Sequence, residues 1–503
     1  MIKASQSYKF NQKILNWIKS LTTESYLFFL IIIFYLLLWW INPGNYLILA
    51  SYFILFFLIN YKLKNAKLSL LVTFLTSSIV FTGKMFPIQL VPPGIYDPKI
   101  YPDGYLVNAV VSPSNIIAVI MLIVIIREIV VNKTKPNFVN TANILLFAYF
   151  MWGIVSSVFG SKRPEVSVVF DTLGLSSLIF YFYLQLKTTT TKFFIKLLMA
   201  IFSAFIVVES LFALNQFILK SPADKNLEFS RSFQETGQTT DEQKFIYRPG
   251  GTFDHANTLA MHLTFWMLCI LGAYLATREG LYLFLLGLGS GVLIITLSRS
   301  AWMGFAAGIL FILYIVEKVK KIKIKLDFGK YTSLILITGS LLIYFFILPR
   351  ILTSTYTFSE GGGQLRIQQV KESWQIVEQY PIFGVGASML VVEGLTLFPK
   401  SVFGKDALDV HNWYFSKMTS NGIPVILLFL LFVSVSLKPI FKNILNSNKP
   451  NYYDFILISF AASTLCFFVI GAFSANNGIF YLILFYGLLN NQQTLYEQNK
   501  RKA

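Results

Sequence analysis

What this chain can fold into is limited above all by a succession of apolar runs. About 14 of them, each roughly long enough to cross a hydrocarbon core, are separated by polar or basic segments. They fall at about 26–41, 46–60, 68–83, 114–131, 140–160, 166–186, 193–217, 257–276, 281–297, 301–316, 331–348, 422–437, 455–473 and 478–489. In lipid a backbone must satisfy its own hydrogen bonds, so such runs become helices. The expected fold is an all-α polytopic membrane protein of about 14 transmembrane helices. A long, partly helical loop, 349–421, is expected between the eleventh and twelfth spans. Only 13% of the residues are charged, against about 25% in a soluble domain. Three regions are expected: N-terminal spans over 1–250, a core over 251–437 that includes the long loop, and C-terminal spans with a basic tail over 438–503. There is no internal repeat of the kind that marks inverted-symmetry transporters.

The net charge is +18. It reads as lysines facing anionic lipid on the cytoplasmic side, not as a nucleic-acid surface. With the N-terminus inside, roughly 26 of the 42 basic residues fall on inner loops, including the strongest cluster, 318–325. Both termini are then cytoplasmic, and the loops 84–113, 219–255 and 349–421 lie outside. Residues 1–24 are long and polar, and no small-residue cleavage site follows the first apolar run, unlike a cleaved signal. Cys269 and Cys466 both sit in apolar runs and offer neither a disulfide framework nor a metal cluster.

Three ionisable residues interrupt the apolar runs: Asp171, Glu209 and His262. On this topology all three fall in the outer half of the membrane. Two readings compete. They line a polar cavity open to the outside, or each is hydrogen-bonded between helices.

The long loop contains RIQQVKESWQIVEQYPIFGVGASML, starting at Arg366. Ile367, Val370, Trp374 and Val377 recur at steps of three and four, which predicts the buried face of a short helix. Three glycines, 361–363, precede it, and Tyr380-Pro381 ends it, because the residue before a proline is pushed out of the helical region. This helix carries Arg366 and Lys371. Arg299 lies in the tight turn between the ninth and tenth spans, and Arg248 lies on the 219–255 loop. An arginine's planar fork suits bidentate binding of phosphate, so two or three of them converging outside a membrane would hold a diphosphate. The bland reading of Arg299 is an interfacial anchor. His411 is the only histidine on the long loop, and an imidazole can take a proton from a sugar hydroxyl. His255, in GGTFDHAN, reads more simply as part of a turn and helix cap. No Walker loop, HExxH or Asp-x-Asp metal motif is present, so metal-free, cofactor-free chemistry is expected.

Together these pieces resemble the O-antigen ligase/polymerase superfamily of bacterial envelope glycosyltransferases. The resembling stretches are TLSRSAWMGFAAG (Thr296 to Gly308), the helix from Arg366 leading to YPIFGVGAS (Tyr380 to Ser388), and VHNWYFSKMTSNGIPVILLFLLF (Val410 to Phe432). GTFDHANTLA (Gly251 to Ala260) also looks like the family's loop into the next helix. In that family a His-Asn pair is followed by nine residues and a glycine, and His411, Asn412 and Gly422 keep that spacing. The resemblance covers roughly 250–435. It implies transfer of a glycan from undecaprenyl diphosphate, on the outer face of the cytoplasmic membrane. The acceptor would be lipid A core, a growing repeat chain or a protein. It implies that Arg299 and Arg366 bind the diphosphate and that His411 is the base, with inversion at the anomeric carbon. Arg248, Lys371, Asn412 and His255 are further substrate-binding candidates. A polymerase on the same carrier is the near alternative. A transporter of lipid-linked sugar would need polar groups along a path through the bilayer, and a non-catalytic scaffold would make His411 and Arg366 dispensable.

Overall fold

The computed structural model describes residues 21–41, 45–79, 86–89, 108–133, 140–186, 191–219, 234–236, 246–253, 255–319, 362–387, 389–390, 397, 410–446, 452–474 and 479–488. Its helices are α1 (Thr23–Ile41), α2 (Asn45–Leu63), α3 (Ala66–Ile79), α4 (Pro113–Val130), α5 (Thr141–Gly160), α6 (Pro164–Gln185) and α7 (Thr191–Leu219). There follow α8 (Ala256–Thr277), α9 (Gly280–Ile295), α10 (Arg299–Tyr314, continued by a π turn, Ile315–Val319), α11 (Gly362–Gln379), α12 (Trp413–Asn421), α13 (Ile423–Asn446), α14 (Tyr452–Gly471) and α15 (Ile479–Leu488). Two small antiparallel hairpins interrupt this helical chain. They pair β1 (Phe86–Gln89) with β2 (Asn108–Val111), and β3 (Gln234–Thr236) with β4 (Ile246–Arg248). Among the described residues nine helices are long and apolar enough to cross a membrane, and four shorter apolar ones accompany them. The span expected at 331–348 and the basic cluster 318–325, past residue 319, lie outside the described residues.

Helix boundaries follow local chemistry. Ser112 and Asn115 form a reciprocal capping box, with Pro113 at the first helical position of α4. Asn140 caps α5 by accepting from the Ala142 N–H. Within the bundle α7, α8 and α14 are the most buried spans. α8 is central and packs against α7, α9, α10 and α14. α5, α6, α12 and α13 form a second group, with α11 laid against α12.

The three intramembrane ionisable residues are hydrogen-bonded between elements. Asp171 accepts from Ser157 Oγ at 2.5 Å and from Asn421 Nδ2 at 3.3 Å. Glu209 accepts from the Thr252 N–H at 2.9 Å and from Thr252 Oγ1 at 2.5 Å. His262 Nδ1 bonds the Tyr481 hydroxyl, and its ring stacks on Phe253 with centroids 4.3 Å apart. Each ties a distant segment down, the cheapest way to keep a polar group inside an apolar bundle.

The helix at Arg366 forms, but its buried face is not the one expected. Ile367 and Trp374 are exposed, at 44% and 46%, and Val370 is only partly covered. The inward stripe is Gln369, Glu372, Ser373, Ile376 and Val377. Of the four expected positions only Val377 is buried. Apolar spacing points inward only when the outside is water. Beside lipid an apolar side chain can face out, and a polar stripe can face an internal site.

Candidate functional site

Five basic side chains from four separate stretches come within electrostatic reach of one another. Each shift below runs from a group's ordinary value. The Arg366 guanidinium is lowered by desolvation and then by Arg299. His411 is lowered by desolvation and then by Arg366. His255 is lowered to about 4 by desolvation, then by Arg248 and by His411. No described carboxylate is among the causes of these shifts, so among the described residues the cluster concentrates positive charge on its arginines, which an anion would relieve.

Arg299 owes its place to an unusual turn. Leu297, between α9 and α10, adopts φ 53, a left-handed conformation that costs a leucine energy and persists only where its surroundings enforce it. Arg248 helps enforce it. Its Nε donates to the Thr296 carbonyl at 2.8 Å, and its other arm donates to Asn257 Oδ1 at 2.6 Å. Trp302 Nε1 donates to the Leu293 carbonyl at 2.9 Å. Arg248 is therefore a buried brace between β4, the start of α8 and the α9–α10 turn. The Ser298 side chain makes no cap bond to α10, so Arg299 sits beside a helix N-terminus whose first amides lack a side-chain cap.

The loop that carries Arg248 and His255 is anchored from α7. Gln216 Oε1 accepts from the Gly250 and Gly251 amides, at 3.1 and 2.9 Å, and Glu209 holds Thr252. His255 is itself the N-cap of α8: its Nδ1 accepts from the Asn257 N–H at 2.9 Å. That bond puts the ring proton of the neutral imidazole on Nε2.

The spacing from His411 to Gly422 has a simple structural meaning. Asn412 is the N-cap of α12, and its Oδ1 accepts from the Tyr414 and Phe415 amides at 3.0 and 3.2 Å. Its Nδ2 donates to the Ala472 carbonyl at 3.0 Å, so both ends of this side chain hold structure. The nine intervening residues are the whole of α12, and Gly422 closes it at φ 79. There the chain meets the YPIFGVGAS segment. Val385 N–H donates to the Thr419 carbonyl, Gly386 N–H to the Ser420 carbonyl and Ile423 N–H to the Pro381 carbonyl, each at 2.8 Å. A Cβ on Gly422 would run into the Ile382 carbonyl. Asn421 locks the clasp to α5. Its Nδ2 reaches Ser156 Oγ at 2.7 Å, and its carbonyl accepts from Trp152 Nε1 at 3.0 Å.

Among the described residues, Arg299, Arg366 and His411 have no side-chain hydrogen-bond or ion-pair partner. Lys371 stands apart. It is exposed, lies about 140° round the helix from Arg366, and perturbs none of the shifted groups. Asp254 lies outside the described residues. No group of three or more His, Cys, Asp or Glu side chains among the described residues could hold a metal ion. A cavity of about 430 Å³ lies elsewhere, among Phe53, Phe56, Leu70 and Val124, and shares no residue with the cluster.

A comparison with known families bears on the segment that holds most of this cluster. Residues 283–430 match the family model described as O-antigen ligase. The match covers under a third of the chain and supports a likeness to the O-antigen ligase-like superfamily over that segment. No curated protein matches it closely enough to report. The O-antigen ligase segment runs from α9 into α13 and contains Arg299, Arg366, His411 and the clasp that closes on Gly422. Arg248 and His255 lie N-terminal to it, on the braced loop. Sequence reasoning missed Gln216 and Asn421 as supports, and it singled out 380–388 without its contact to the end of α12. Only the interval ending at Gly422 carried a signal for any of them.

Proposed function

We propose that this membrane protein transfers a glycan from a polyprenyl diphosphate carrier to an acceptor hydroxyl, as a ligase, at the outer face of the bacterial cytoplasmic membrane. The observation that carries the reading is that Arg299 acts on Arg366 and Arg366 on His411, three residues far apart in sequence, in a segment that matches O-antigen ligase. We take 251–437 as the catalytic core.

The chemistry is a single displacement. The acceptor oxygen attacks the anomeric carbon and the bond from that carbon to the diphosphate oxygen breaks. The electron pair leaves with the diphosphate, whose growing charge Arg299 and Arg366 stabilise, aided by the amides of the first turn of α10. His411 takes the hydroxyl proton. Its lowered pKa keeps the imidazole neutral near pH 7, as a base requires. A bound diphosphate offsets the Arg366 charge and strengthens that base when the donor is in place. Arg248 and Asn412 position the two machinery segments, and His255 offers a neutral Nε2–H donor beside the phosphates.

The test uses purified protein with an undecaprenyl-diphosphate oligosaccharide, with and without lipid A core. One-step modification of the core supports the ligase reading. A ladder formed without the core would replace it by a polymerase. Movement of the lipid-linked sugar across vesicles with no new bond would overturn both.

A further inference from the structure

The inward stripe of α11 carries polar atoms with nothing to bond. Gln369 Oε1 and Glu372 Oε2 accept no hydrogen bond from any described residue, although their residues are only 1% and 2% exposed. Glu372 Oε1 is already satisfied, accepting from Gln368 Nε2 at 2.6 Å. A buried oxygen without a donor is destabilising, more so when charged, so two on adjacent turns are not a neutral accident of packing.

Their position gives them a use. Arg366, Gln369 and Glu372 follow at steps of three, a row that winds about 120° round the helix, from Arg366 at its exposed edge to the two oxygens on its inward face. Gln369 lies about 4.5 Å and Glu372 about 9 Å along the axis from Arg366. At its far end the same stripe presents Ile376, which packs with Val385 and with Val410, the neighbour of His411. The inward stripe thus lies between Arg366, at its N-terminal edge, and the residues that pack beside His411. A ligand lying on it would meet positive charge first and bare acceptors next. That order suits a sugar phosphate: anionic phosphates at one end and hydroxyl donors one ring further on. Apolar or cationic ligands do not match both ends.

We propose that Gln369 and Glu372 form the glycan subsite, accepting hydrogen bonds from hydroxyls of the sugar attached to the diphosphate. This rests on the donor reading above. The subsite would select for a hydroxyl-rich ring and would bind it without contributing to the grip on the phosphates.

The test compares two probes on the full-length protein in nanodiscs: undecaprenyl diphosphate, and undecaprenyl diphosphate carrying one N-acetylhexosamine. The wild type should bind the glycosylated probe at least tenfold tighter. Glu372→Gln and Gln369→Leu should each lose most of that preference and keep their affinity for undecaprenyl diphosphate, with a melting temperature no lower than the wild type's. Equal affinity of the wild type for both probes overturns the subsite and leaves the diphosphate reading standing. Failure of the wild type to bind either probe overturns both. Loss of both affinities in parallel in Glu372→Gln, or a preference left intact in both variants, also overturns the subsite.

Discussion

The guanidinium of Arg366 lies close enough to the imidazole of His411 to lower its pKa, although one sits in the first turns of α11 and the other just ahead of α12. This is the relationship on which a lipid-diphosphate transferase would turn, because it couples the group that grips the leaving phosphates to the group that prepares the acceptor.

The coupling has a signature in pH. His411 must be neutral to act as a base, and its pKa is below the ordinary 6.5. Transfer activity should therefore hold down to a pH below 6.5 and then fall as the imidazole protonates. Arg366→Gln removes a positive neighbour, so it should move that acid limb to higher pH while lowering the rate. A pH–rate profile of both proteins measures it, and an unmoved limb would remove His411 from the role of base.

Losing one arginine of the pair should cost about 2.7–4 kcal/mol of transition-state stabilisation, a fall of about two to three orders of magnitude. Arg299→Gln and Arg366→Gln should show it in initial rates. Arg248→Gln should behave differently. It breaks the bonds to Thr296 and Asn257, so its main effect should be a lower melting temperature.

Stability should also depend on His255. Its pKa is about 4 in the folded chain against an ordinary 6.5, so the unfolded chain binds more protons between those values. Stability is then full above about pH 6.5 and declines as pH falls toward about 4. His255→Asn keeps a capping acceptor without the titration. Melting curves over this window should show a shallower decline for the variant.

Asn412→Ala should cost about 1 kcal/mol as a lost N-cap, somewhat more with the bond to Ala472. Asn412→Asp keeps the acceptor and should recover the cap alone. Melting temperatures of the pair separate capping from substrate contact: if Asn412→Ala keeps full stability and loses activity, the residue meets substrate.

Most of the helices could be read from apolar runs, because a bilayer leaves an unpaired backbone no alternative. The partners of buried polar groups could not. Asp171 meets Asn421 across 250 positions of sequence, and no local pattern encodes such a bond. The cluster was legible as a set of residue types, Arg299, Arg366 and His411, but their nearness was not. Arg248 looked like a ligand because sequence cannot distinguish an arginine braced by carbonyls from one left open. The face of α11 was misread through Ile367 and Trp374, since the rule that sends apolar residues inward presumes water on the other side.

The nine residues between Asn412 and Gly422 act as a ruler. Adding or removing one would turn one end of that rod by about 100° against the other. The imidazole of His411 would swing away from the arginines even though no residue of the cluster had changed. Homologous chains should therefore vary freely in what they place between the pair and the glycine, and hardly at all in how many.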